Sequence, residues 1–135
     1  MRVLWLAMVA VLCATGVAAQ MPPQPQLANP ASVRCIEQGG TLRMDRRPDG
    51  GQFGVCVFAD NYQCEEWALF RGECPKGGLR TTGYATPAGR YCAITGGRYA
   101  VVSAPGVTPE RGTCALPGGR SCDADAWYAA TCLRQ

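Results

Sequence analysis

The chain has 135 residues, 13 lysines and arginines against 10 acids, nine cysteines and no histidine. The missing imidazole excludes every triad or dyad that uses histidine as its base, and the cysteine content points to disulfide staples in an oxidising compartment. The net charge of +3 is small and spread along the chain, so a nucleic-acid partner is not expected.

Met1 to Ala19 reads as a secretory signal peptide. Arg2 is the positive start, Val3 to Leu12 is an unbroken apolar run, and Val17-Ala18-Ala19 supplies small residues for cleavage. The run is about half the roughly 20 residues a membrane span needs. Cys13 could become the lipidated N-terminus of a lipoprotein, but Leu12 precedes it where such a signal wants a small residue. Cleavage after Ala19 discards Cys13 and leaves eight cysteines. It also removes Arg2 from the 13 basic residues, leaving 12 against 10 acids. Residues 20–28, rich in Pro and Gln, form an extended tail.

The eight cysteines fall into two sets with nearly one ruler. Cys35, Cys56, Cys64 and Cys74 are separated by 21, 8 and 10 positions, and Cys92, Cys114, Cys122 and Cys132 by 22, 8 and 10. Pro30-Ala31 and Gly39-Gly40 recur around the second set as Pro87-Ala88 and Gly96-Gly97, and Gly54 before Cys56 recurs as Gly112 before Cys114. One small stapled unit is therefore written twice, as repeat 1 over residues 29–74 and repeat 2 over residues 86–132. Units this small rarely bury enough apolar surface without covalent help. Zinc is not expected as the staple, because there is no histidine and no C-x2-C pair.

Repeat 1 opens with Asn29 as a cap and Pro30 in the first helical position. A helix follows over Ala31–Gln38 and ends at Gly39-Gly40. Thr41 to Arg46 alternates, with Leu42 and Met44 on one face and Arg43 and Asp45 on the other. Pro48-Asp49-Gly50-Gly51 is a turn, and Gln52 to Phe58 completes a hairpin. Ala59 to Gln63 turns again. Glu65 to Arg71 begins with two acids and ends with a cation, as a short helix prefers. The linker over residues 75–85 carries three glycines and a proline. Repeat 2 follows the same script from Thr86. Its strands surround Tyr99–Val102 and Gly112–Leu116, and its last helix runs over Asp123–Ala130. The expected fold is α+β: small disulfide-stapled units in tandem, each helix, β-hairpin and short helix. Repeat 1, with the better cap, is expected to be the more stable.

Four cysteines allow three pairings within a unit. If Glu65–Arg71 is helical, Cys64 and Cys74 bracket it and lie more than about 10 Å apart, beyond the roughly 7 Å a bridge tolerates. That leaves Cys35–Cys74 with Cys56–Cys64, or Cys35–Cys64 with Cys56–Cys74. The first is slightly preferred, with Cys92–Cys132 and Cys114–Cys122 as its parallel.

If all eight cysteines pair, no thiol nucleophile remains, and no glycine-rich loop suits a phosphate. The carboxylates Glu65, Glu66 and Glu73 lie close enough to suggest glycoside hydrolysis, although acids in a first helical turn are a routine match to the dipole. No cofactor is expected. Arg43, Arg46 and Arg47, on the first hairpin, are the candidate binding residues. Repeat 2 has Ala100, Ser103 and Ala104 at about the same places, so the charge is not needed to fold the unit. Trp67 and Phe70 share one helix face. A tryptophan in so small a unit belongs to its core, and an exposed one would mark a binding patch.

The stretches Asn29–Gly40 (N-P-A-S-V-R-C-I-E-Q-G-G), Asp49–Phe58 (D-G-G-Q-F-G-V-C-V-F) and Cys64–Cys74 (C-E-E-W-A-L-F-R-G-E-C) resemble the DUF333 domain, a short bacterial exported domain often labelled a haemolysin. Thr86 to Cys132 resembles it more distantly, with Asp125 where Trp67 aligns. The resemblance implies an exported four-cysteine module and supplies no catalytic residues. The expectation is a periplasmic or secreted, non-enzymatic binding or inhibitory module that presents the loops Arg47–Gln52 and Ala104–Arg111. Its partner would be an envelope protein or an anionic glycan or lipid surface. A membrane-active, haemolysin-like protein is the alternative. No sequence feature specifies an oligomeric state.

Overall fold

A computed structural model describes residues 28–132. The expected leader over Met1–Ala19, Cys13 and the tail as far as residue 27 lie outside the described residues.

Each repeat begins with a helix whose start is built as its sequence implies. In α1 (Pro30–Glu37), the Asn29 side chain accepts the Ala31 N–H at 3.0 Å, and Pro30 occupies the first turn. The helix ends at Gly39, whose left-handed φ of 81° carries the chain into a strand. β1 (Thr41–Arg46) and β2 (Gln52–Val57) pair antiparallel from Thr41↔Val57 to Arg46↔Gln52. The turn between them closes by Arg47 N to Gly51 O at 2.8 Å, and Asp49 accepts the Gly51 N–H. After a 3-10 turn at Ala59–Asn61, β3 (Tyr62–Glu65) adds to β2 and runs directly into α2 (Glu66–Phe70). β4 (Leu79–Arg80) pairs with Tyr62–Gln63, giving a four-stranded sheet in the order β1-β2-β3-β4. Repeat 2 supplies α3 (Pro87–Ile94), β5 (Arg98–Val101), β6 (Gly112–Ala115), β7 (Ser121–Asp123) and α4 (Ala124–Tyr128), with a three-stranded sheet β5-β6-β7.

The fold is α+β, as the sequence implies, but two strands are unexpected: β3 begins in the stretch read as turn and runs into the expected helix, and β7 ends at the expected start of the last helix. β3 and β7 span four and three residues, too short for alternation to show. They exist because a neighbouring strand supplies their hydrogen bonds. β4 likewise forms inside the stretch read as linker.

The disulfides overturn the expected pairings. The bridges are Cys35–Cys56, Cys64–Cys74, Cys92–Cys114 and Cys122–Cys132, with Cα–Cα distances of 5.5, 5.9, 5.7 and 6.2 Å. The helix between Cys64 and Cys74 does not separate them, because α2 has only five residues. Gly72, at φ 74°, then reverses the chain, and the N–H groups of Glu73 and Cys74 both donate to Ala68 O. Cys74 is thereby folded back beside β3. The recurring second glycine of each pair follows from the other bridge. A Cβ on Gly40 would collide with Cys56 Sγ of the Cys35–Cys56 bridge, and one on Gly97 would meet Cys114 Sγ at 2.5 Å.

The repeats stack in layers. α1 and α2 pack on one face of the first sheet around Cys35, Cys56, Cys64, Ala68, Leu69 and Cys74. The other face carries Phe53, Val55 and Val57, and it is covered by Tyr91 and Ile94 of α3 with Trp127 and Tyr128 of α4. The opposite sides of α3 and α4 pack on the second sheet through Ala88, Cys92, Cys114, Leu116, Cys122 and Ala124. The order is helices, sheet, helices, sheet, and α3 is covered on two sides. α1 buries Ala31 and Cys35, whereas α3 buries Ala88, Gly89 and every residue from Tyr91 to Ile94. At equal distance from the first cysteine of each set, Tyr91 and Ile94 replace Arg34 and Glu37. Tyr91 meets the Phe53 ring edge-on at 5.0 Å and the Tyr128 ring at 5.1 Å. Polar bonds rim this core: Arg90 pairs with Asp45 at 3.0 Å and donates to Gln63, and Tyr128 OH donates to Arg46 O.

Tyr91→Ala is expected to destabilise the oxidised protein by about 3 kcal/mol or more, as for other buried aromatics. Arg34→Ala, at the matching place in repeat 1, is expected to shift stability by less than about 0.5 kcal/mol. Urea unfolding of both variants checks the pair. Equal effects would contradict the layered packing.

Candidate functional site

A groove of about 340 Å³ opens where the repeats meet. Its floor is acidic and buried, and its rim is basic and apolar. Glu65 ends β3 and caps α2, its two carboxylate oxygens accepting the N–H groups of Trp67 at 3.1 Å and Ala68 at 2.8 Å. Burial raises the Glu65 carboxyl above its ordinary range, and the two cap hydrogen bonds oppose this only in part. Glu66 is turned toward α1, where Ser32 Oγ donates to it at 2.6 Å and Asn29 Nδ2 at 3.3 Å. Its side chain lies against Gly54, and a Cβ there would collide with the carboxylate stem. Gly54, Asn29 and Ser32 are thus one device, which holds a carboxylate between the first helix and the sheet.

Trp67 and Phe70 meet edge-to-face at 5.7 Å on the outer side of α2, and Trp67 remains 39% exposed at the groove rim. The expected core tryptophan is absent because sulfur, Ala68 and Leu69 fill that core. Met44 stands beside Trp67 at the rim and is also exposed. Repeat 2 contributes Tyr91, Thr95 and Trp127. Trp127 Nε1 donates to Thr95 Oγ1 at 3.0 Å, which orients the indole of the far wall.

The three arginines singled out from the sequence are placed apart. Arg43 makes two bonds to Asp45, at 2.9 and 3.0 Å, on the sheet face that repeat 2 partly covers. Burial works against the Asp45 charge, but hydrogen bonds from Arg43 and Arg90 outweigh it and lower its pKa. Arg46 lines a second opening with Tyr84, Arg90 and Tyr128. Arg47 reaches the main groove. It is half-buried, held by Asp49 at 3.2 and 3.3 Å, and it also bonds the Tyr91 side chain. The turn does not leave Arg47 loose, because Asp49 is within its reach. Across the groove Arg71 pairs with Glu73 at 2.9 Å. Sequence reasoning passed over Met44, Arg71, Tyr91, Thr95 and Trp127 as groove residues. One signal was available: α3 is apolar on more than one side, as a helix covered twice must be.

Comparison with known proteins sets this architecture in a family. The family described as "Domain of unknown function (DUF333)" matches residues 26–73 and again residues 83–131, and the chain belongs to it. The chain is also similar to the uncharacterised protein YoaF of Escherichia coli (strain K12). Identity is 41% over 59 residues, which are 44% of this chain and 69% of that protein. The proteins of the same name from Escherichia coli O6:H1 and Shigella flexneri match to the same extent. No solved structure matches. The four disulfides indicate an oxidising, non-cytoplasmic location. Among the described residues no helix is long and apolar enough to cross a membrane.

The raised Glu65 carboxyl fixes the sign of a pH effect. Its contribution to stability is present below the unfolded value of 4.5 and is lost as pH rises through the higher folded value. Glu65→Gln does not ionise. Its stability deficit relative to the parent is therefore expected to shrink between pH 4 and pH 7, measured by urea unfolding. A deficit that grows over that interval would mean that the cap hydrogen bonds outweigh burial.

Proposed function

We propose that the chain is a periplasmic or secreted, non-enzymatic binding module that takes its ligand in the groove between the repeats. The observation that carries this reading is the exposure of Trp67, in a unit whose core is otherwise complete, beside a groove with Arg47 and Arg71 at its rim. An indole presents a flat face on which a sugar ring or acyl group can lie. The two guanidiniums keep donors free after pairing with Asp49 and Glu73, since each has five. The ligand class that matches is an anionic glycan of the cell envelope. Hydrolysis by the groove carboxylates is disfavoured: Glu65 spends both oxygens on the cap of α2, and Glu66 is held by Ser32 and Asn29. Neither is free to act on a glycosidic oxygen.

Titration of the oxidised protein with soluble acidic envelope glycan fragments, followed by tryptophan fluorescence, tests the proposal. Trp67→Ala is expected to weaken binding about tenfold or more. Arg47→Ala with Arg71→Ala should weaken it and flatten its salt dependence. Binding that survives Trp67→Ala unchanged would remove the groove from consideration.

A further inference from the structure

We propose a second, independent contact surface: the tip of the repeat 2 hairpin docks on a lipid bilayer and enters its headgroup layer. The two hairpins share one ruler but not one surface. The tip of repeat 1 carries Asp45, Arg46, Arg47 and Asp49, whereas the eleven positions from Tyr99 to Pro109 carry no charge. Within them Val101, Val102 and Val107 are 53, 63 and 51% exposed.

The arrangement of these valines indicates what covers them. Successive residues of a strand point to opposite faces. Val101 therefore shares the face of Tyr99, which packs toward α3 and α4, and Val102 shares the outer face with Ala100. Val107 lies in the loop beyond both, where its N–H donates to Ala104 O. Apolar side chains thus stand on both faces of the tip and at its end, with one carboxylate among them, Glu110, which accepts Tyr99 OH at 2.9 Å. A lipid layer would surround such a tip on both faces and at its end.

The backbone is suited to a shallow position. The N–H groups of Val102 and Ser103 both donate to Arg111 O, Arg111 N–H donates to Ser103 Oγ, and Pro105 and Pro109 have no N–H to satisfy. A loop cannot enter the hydrocarbon core, but a depth of about 5–10 Å into the interface is available to it. Arg98 lies four residues, about 13 Å, back from Val102 along the strand, and Arg120 precedes Ser121, which stands opposite Ala115 as Arg98 does. Neither arginine forms an ion pair among the described residues. With the tip inserted, both arginines stand at the outer headgroups, where lipid phosphates and anionic headgroups lie.

Oxidised protein co-sedimented with vesicles of phosphatidylcholine and phosphatidylglycerol tests the proposal. The parent is expected to bind, more weakly but still detectably at high salt. Val102→Ser with Val107→Ser is expected to lower partitioning about tenfold or more, and Trp67→Ala to leave it unchanged. In a separate variant, Val107→Trp, quenching by brominated lipid should exceed that of the parent. Failure of the parent to bind, full binding by the serine variant, or no added quenching at position 107 would each overturn the proposal. Release of an entrapped dye would overturn the shallow placement.

Discussion

The burial of α3 on two sides is the constraint from which the rest of the structure follows. One helix closes the second sheet through Ala88 and Cys92 and closes the back of the first sheet through Tyr91 and Ile94. Without that second contact Phe53, Val55 and Val57 would face water. The groove exists for the same reason: its near wall is α2 and β2, and its far wall is α3 and α4. Ion pairs stand on both outer layers of the stack, Arg34 near Glu37 on the outer helix and Arg111 with Asp123 on the outer sheet.

The disulfides act as core as well as staples. Six of the eight bonded cysteines are buried to 2% exposure or less, and they occupy the centre of each small unit where larger aliphatic side chains would otherwise stand. Each bridge closing a loop of this size contributes on the order of 3 kcal/mol in the loop-entropy account. Because sulfur fills the middle, the aromatic residues are released to other places. Trp67 goes to the groove rim, and Tyr91, Trp127 and Tyr128 go to the junction between repeats. The glycine before each hairpin cysteine shows how the copies diverge on one backbone. Gly54 leaves room for the Glu66 carboxylate, whereas Gly112 leaves room for the Tyr99 ring. The same gap serves a polar anchor in one unit and an apolar one in the other.

Much of this was legible in the residues. The doubled cysteine ruler, the Asn29-Pro30 and Thr86-Pro87 helix starts, the Gly39 and Gly96 stops and the hairpin around Asp49-Gly50 are local chemistry, and local chemistry can be read in order along a chain. The short strands β3, β4 and β7 were not legible, because they lack the repeated hairpin pattern that marks β5 and β6 and form only where a neighbouring strand supplies their hydrogen bonds. The disulfide pairing failed on a single point. α2 stops at Phe70, and Gly72 reverses the chain to bring Cys74 back beside β3, a reversal that the helical pattern of Glu65–Arg71 does not announce.

By itself, the sequence determined the composition of each unit: two stapled modules, their helix caps, their hairpins and the DUF333 family to which they belong. These depend on neighbours within a few residues or on a repeated spacing, so the linear order carries them. Only the tertiary structure decided which face of the first sheet is covered, which arginines meet a groove and which meet an aspartate, and that Trp67 stands at a surface. Those outcomes depend on Tyr91 reaching Phe53 and Arg90 reaching Asp45. Such contacts join positions nearly forty residues or more apart, and no local periodicity encodes them.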